Sequence, residues 1–226
     1  MLTNITVGGQ TVGIVTFPNV PLRSVEWSFK DAVATNISPF TGQTQTYIWP
    51  GADTWCPFNH PGVMTYPPLV QSQADSVLAA LMECRGMANP FLLGDPIKTF
   101  PAGTVDSKSK PVLDNSVAGT NIAGQTILRT KGWKPSQHRL LVPGDNLQLG
   151  YRLHKVIDPV TSDASGNAVI NIWPSLREAN PNVAGVALPI ILNHPRGLFR
   201  LATNDRTWSV SVSRHTSVSY QVSEWR

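Results

Sequence analysis

From Leu141 to Pro174 the chain reads LVPGDNLQLGYRLHKVIDPVTSDASGNAVINIWP. Turn-forming residues interrupt this stretch too often for a helix of ordinary length to fit. Pro143-Gly144-Asp145 is a turn, because proline fixes φ and glycine accepts positive φ. Asn146 to Leu149 alternates polar and apolar, as a half-buried strand does. Tyr151 to Ile157 is a second short strand. Asp158 to Gly166 is a loop of turn formers, and Asn167 to Trp173 is a third strand with Ala168, Ile170 and Ile172 on one face. The stretch therefore predicts a β module in mid-chain.

Elsewhere the same period of two recurs. Ile5 to Val7 and Thr11 to Val15 flank Gly8-Gly9, a pair suited to a tight hairpin. Val25, Trp27 and Phe29 alternate with polar residues, and so do Thr44, Thr46 and Ile48. Phe91 to Leu93 reads as a buried strand closed by Gly94-Asp95-Pro96. Near the end, Trp208, Val210 and Val212 alternate with serines, and Val218, Tyr220 and Val222 do the same beyond Arg214 to Thr216. That pattern predicts a hairpin with Trp208, Val210 and Val212 buried. One stretch is different. Val70, Ala74, Val77, Leu78, Leu81 and Met82 recur at helical spacing, so a helix is expected over Val70 to Arg85, with Gly86 as its cap.

Charged residues are 14% of the chain against the usual quarter. Two explanations stand side by side: a surface hidden in an assembly, or an uncharged β protein rich in Ser and Thr. The lysines and arginines are scattered, so no sequence-specific nucleic-acid groove is indicated despite a net charge of +4. No apolar run reaches membrane-spanning length, and MLTNITVGGQ lacks the regions of a signal peptide. Synthesis and retention in a cytoplasm, without a membrane anchor, are expected. Cys56 and Cys84 make no disulfide framework and no zinc motif, and read as buried or inert thiols.

No catalytic, cofactor-binding or metal-ligating residue is assigned. The histidines, His60, His138, His154, His194 and His215, lie at no metal-ligand spacing, and no nucleophile elbow or phosphate loop occurs. Asp145 and Asp163 sit in glycine-bearing loops without the ligand pattern of a calcium site. They read as turn formers that bond nearby amides. Asp205, His194 and Ser209 are the coincidence expected of a serine-rich chain. Trp49, Trp55 and Phe58 read as core or subunit interface before sugar platform.

Four stretches, in order, carry a resemblance. They are SPFTGQTQTYIWPG, NPFLLGDP, the run GDNLQLG–RLHKV–SDASGNAVINIWPSLR, and PRGLFRLATNDRTWSV. Together they resemble the distal tail proteins of long-tailed phages and cover most of the chain. The resemblance, with the patterning, implies an all-β fold with one helix in two modules. The first, 1–101 plus 195–226, is a β-sandwich or split-barrel ring domain, tail-tube-like, to which the C-terminal hairpin returns. The second, 102–194, is an inserted small barrel of the oligonucleotide/oligosaccharide-binding type, reached through a polar crossover at Lys98 to Asn115. The implied function is structural: a ring, a homohexamer, joining the tail tube protein to the baseplate hub or tail tip in the virion, with a lumen for genome passage. Such a protein needs no cofactor and is assembled in the host cytoplasm. The alternative is a carbohydrate-binding module that works through the inserted barrel in host adsorption. An enzyme would need a carboxylate pair or metal site, and the sequence offers neither.

Overall fold

The computed structural model describes residues 2–7, 9–106, 109–178, 182–183, 186–211 and 214–226. Over these the chain is mostly β-strand, with one helix, Gln71–Glu83. It divides into two units. One comprises Met1–Phe29, Trp55–Ile97 and Arg196–Arg226, and the other Lys30–Thr54 and Lys98–Pro195. The segment 30–54, expected with the first module, thus clusters with the barrel.

The first unit is organised on one sheet. Its strands run in the order Leu2–Val7, Gln10–Val15, Phe91–Gly94, Arg196–Leu201, Thr216–Glu224, Gly62–Thr65 and Ser24–Glu26. Val7 and Gln10 are register partners, and Gly8 of the expected turn lies outside the described residues. Thr216–Glu224 is central because its alternation is one-sided. Thr216, Val218, Tyr220 and Val222 are buried while Ser217, Ser219 and Gln221 are exposed. It pairs with both Gly62–Thr65 and Arg196–Leu201, so the C-terminus does return to this unit. Aromatic rings fill the core beside it: Phe17 lies 4.7 Å from Phe91 and 5.7 Å from Tyr220. Trp27 packs against Trp55 and Phe199 at 5.7 and 5.5 Å.

The helix buries Ala74, Val77, Ala80 and Leu81, whose spacing keeps them on one side. Val70 and Met82, read from spacing as part of that stripe, are exposed. Beyond the helix, Arg85 and Gly86 both take positive φ (48° and 69°). The Cys84 carbonyl accepts the Asn89 amide at 2.9 Å and so caps the end. Both cysteines are free and buried. Burial pushes the Cys84 thiol up to about 12, against the opposing field of Arg206.

Two expected strands differ. The run from Val25 to Phe29 breaks after Glu26, and Phe29 is exposed. The strand Trp208–Val210 forms and pairs with Thr216–Glu224, yet Trp208 and Val210 are exposed. It lies at the edge of the sheet, where both side chains stay open to solvent, so alternation alone does not bury them. Val212 and Ser213 lie outside the described residues.

In the second unit six strands form a nearly closed, barrel-like antiparallel sheet. Their order is Val112–Leu113, Ile127–Lys131, Asn167–Trp173, Arg152–Val156, Asn146–Leu149 and Ile190–Ile191. The two ends meet. Leu113 N–H donates to the Leu188 carbonyl at 3.0 Å, and Ile190 N–H to the Pro111 carbonyl at 2.9 Å. Closure leaves few unpaired edges. The interior holds Leu113, Leu128, Leu147, Ile170 and Ile172, none more than 1% exposed. Asp145 accepts the Val142 amide at 2.8 Å and the Ala102 amide at 3.0 Å, tying the incoming chain to the first barrel turn. Asp163 accepts the amides of Ser165 and Asn167, each at 2.8 Å. Both aspartates are turn formers, and the Asn167 amide chiefly holds the Asp163 carboxyl below its ordinary value.

Candidate functional site

The histidine most enclosed by the barrel is not poised for chemistry. His154 is buried, and its Nδ1 lies 2.8 Å from the Pro174 carbonyl. Burial lowers it to about 4, with the nearby Arg177 and Arg152 adding to the effect and the Pro174 carbonyl opposing it. A neutral, sealed imidazole is a packing element. The three residues that invite a triad reading each have other company. His194 Nδ1 faces the Asn193 amide oxygen at 2.8 Å, Thr203 donates to the Asp205 carbonyl, and Ser209 lies opposite Ser217. Among the described residues no three His, Cys, Asp or Glu side chains gather as metal ligands. None of the described helices is long and apolar enough to cross a membrane.

What stands out is the segment between Asp31 and Asp53. From Ala32 to Ala52 it carries no Asp, Glu, Lys, Arg or His. Among the described residues, strands Val33–Ile37 and Thr44–Ile48 pair only with each other, as a two-stranded antiparallel ladder. Every residue of both strands is exposed. The register sets Val33 opposite Ile48, and Ile37 opposite Thr44, on one face. Ala34 faces Tyr47 on the other, where Tyr47 and Trp49 meet edge-on with centroids 4.8 Å apart. At the tip, Phe40 is 96% exposed. This hairpin is here called the arm.

The base of the arm is anchored as firmly as its tip is bare. Trp173 Nε1 donates to Asp31 Oδ1 at 2.7 Å. Ser175 Oγ donates to Asp53 Oδ2 and accepts the Gly51 amide, both at 2.9 Å. Arg177 donates to the Asp53 carbonyl at 2.7 Å. The run Trp173-Pro174-Ser175-Leu176-Arg177, which leaves the barrel strand, is therefore the clamp that fixes the arm on the second unit. Asp53 is itself buried, and the Ser175 hydroxyl and the Ala32 amide satisfy a carboxylate that would otherwise be costly there.

An isolated two-stranded hairpin is marginal in water. Its outer edges offer unpaired amides and carbonyls, and it lacks the lysines, bulges or prolines that guard such edges inside its strands. The physical consequence is a surface suited to take up another strand or apolar face. The aromatic group read from the sequence divides accordingly. Trp55 is core, whereas Trp49 and Phe58 are exposed. The signal that could have found the arm is the charge-free run itself, bracketed by Asp31 and Asp53.

A second, polar concavity lies on the barrel. Asp114, Arg129, Thr161, Asp163 and Asn167 line a cleft of about 470 Å³, with Val169 as an apolar patch. Asp114 is held ionised, below its ordinary value, by hydrogen bonding from Ser116 foremost and by Lys131 at 3.3 Å.

No family model matches this chain, and comparison with the curated proteins finds no match.

Proposed function

We propose that the chain is a structural subunit that assembles with copies of itself into a ring at the distal end of a phage tail. The first unit would be the ring-forming, tail-tube-like sandwich. The second unit would be the inserted barrel, of the oligonucleotide/oligosaccharide-binding kind. One face of the ring would dock on the tail tube protein and the other on the baseplate hub or tail tip, leaving a lumen for the genome. Six copies is the number that the resemblance implies. The protein would act in the virion, without catalysis or cofactor.

The observation that carries this reading is the arm: an exposed, charge-free hairpin that is anchored at its base and has no cover. The low charge of the whole chain points the same way. Different patches meeting head to tail generate a ring when the rotation closes. Imaging of the purified protein and of purified tails by electron microscopy tests it. Rings of the free protein, or density for it at the tail tip, are expected. A monomer absent from tails would refute the proposal.

The polar barrel cleft favours a second reading, glycan binding during adsorption, because carboxylates, an amide and a guanidinium suit paired sugar hydroxyls. Binding of the full chain to a glycan array, lost in Arg129→Ala, would support it.

A further inference from the structure

The first unit carries a surface complementary to the arm. Among the described residues, strand Trp208–Val210 pairs on one side only, with Thr216–Glu224, and its three residues are exposed. Between this strand and the helix Gln71–Glu83 lies a cleft of about 330 Å³, lined by Leu78, Leu81, Met82, Arg206, Trp208 and Val218. Arg206 is turned to the Leu81 carbonyl near the end of the helix, so its charge is engaged within the wall. An open edge strand beside a helix, with an apolar cleft between, is the arrangement by which domains take up an extended segment as an added strand. Main-chain bonds then give affinity, and a side chain in the cleft gives specificity.

We infer that the segment taken up is the arm of a second copy of this chain. One edge of its ladder extends the sheet at Trp208–Val210, and its apolar side chains cover the cleft. Three observations select this occupant. First, both surfaces are charge-free along their edges: Ala32 to Ala52 on the arm and Trp208 to Val210 on the strand. A charged partner would lose its hydration there without gaining a mate. Second, the arm has apolar surface to give. An aromatic side chain buries about 150–250 Å², and Phe40 at the tip joins Val33, Ile37 and Ile48 on one face, all exposed. Third, each surface lacks what the other offers. The arm needs a third strand to be stable by itself, and the edge strand needs a neighbour. Because the two surfaces differ, each copy gives an arm and receives one, and head-to-tail docking propagates the contact wherever the rotation between copies is not twofold.

This inference rests on the self-assembly reading and names its contact. The test uses the full chain and two variants, Ile48→Asp on the arm and Val210→Asp on the edge, followed by sedimentation of each alone and of a 1:1 mixture. The wild type is expected to sediment as a species larger than a dimer. Each variant alone is expected to be monomeric. The mixture is expected to form a dimer and nothing larger, because only one intact arm and one intact edge can meet. Assembly of either variant like the wild type, or a mixture that stays monomeric, overturns the docking contact and leaves self-assembly standing. A wild type monomeric at every concentration overturns both. Should either variant melt lower than the wild type, Ile48→Thr and Val210→Thr carry the same comparison.

Discussion

The barrel and the arm belong to one unit and use the same vocabulary of β-branched, aromatic and small polar residues, but they end in opposite states. In the barrel, Leu128 and Ile170 are partners in register and are wholly buried. In the arm, Val33 and Ile48 are partners in register and both are exposed. Strand propensity is satisfied in each, so propensity does not separate them. Closure does. The barrel's last strand returns to its first through the bonds at Leu113 and Ile190. Each strand then gains an inner face. The arm has two strands, no third layer and no inside, and its apolar residues wait for a surface that the unit does not supply.

The comparison breaks most sharply if charge is placed on each side of it. Ile170→Asp puts a carboxylate into the closed interior. The lost burial is worth about 1.5–3 kcal/mol, and desolvating the charge costs several more. That total approaches the roughly 5–15 kcal/mol that holds a typical domain together, so the unit should fail to fold, as seen by circular dichroism. Ile48→Asp on the arm should fold normally. The first unit holds a matching pair. Val218→Asp, in the buried face of the central strand, should unfold the protein. Val210→Asp, eight residues earlier at the open edge, should melt like the dilute, unassembled wild type. Equal melting temperatures within either pair would erase the distinction between covered and uncovered strands.

A smaller effect comes from pH. His154 has its folded value lowered to about 4 by burial, whereas an unfolded histidine titrates near 6.5. Between these values the unfolded chain holds a proton that the folded chain refuses, so stability is full above about 6.5 and declines as pH falls toward 4. Below that it changes no further on this account. The loss across the window is of the order of 3 kcal/mol. Urea denaturation at pH 7 and pH 4.5 should show it, and a His154→Gln variant should flatten that part of the dependence. The same slope in both proteins would assign it to other groups.

Smaller again is the base of the arm. Asp53→Ala leaves Ser175 and the Ala32 amide without their acceptor, at a cost of about 1–3 kcal/mol. The barrel should remain folded while protease cleavage between Val33 and Ile48 becomes faster. Unchanged cleavage would mean that the clamp does not hold the arm.

Much of the barrel was legible because its pattern is one-sided. Ala168, Ile170 and Ile172 point inward as their alternation predicts, and so do Val218, Tyr220 and Val222. Asp145 and Asp163 could be read as turn formers because local amides are always within reach of such side chains. A small barrel was expected, but the seam that closes it was not legible. The bonds that make it are backbone to backbone, at Pro111, Leu113, Leu188 and Ile190, and backbone bonds leave no mark on residue type. Trp208 and Val210 misled for a related reason. Alternation shows that a strand has an apolar face but not that anything lies over it. The arm was assigned to the wrong module because its strand Thr44–Ile48 was readable, while the partner Val33–Ile37 and the clamp at Trp173 to Arg177 are separated from it by register or by sequence distance.

Hydrogen exchange across a concentration series tests the central claim most directly, because it reads barrel and arm in the same molecule. Amides of Ile127–Lys131 and Asn167–Trp173 should be protected at every concentration. Amides of Val33–Ile37 and Thr44–Ile48 should exchange quickly in the dilute protein and become protected as it assembles, with Trp208–Val210 following the same course. Arm amides that are equally protected in the monomer, or that stay unprotected in the assembled protein, would contradict the account.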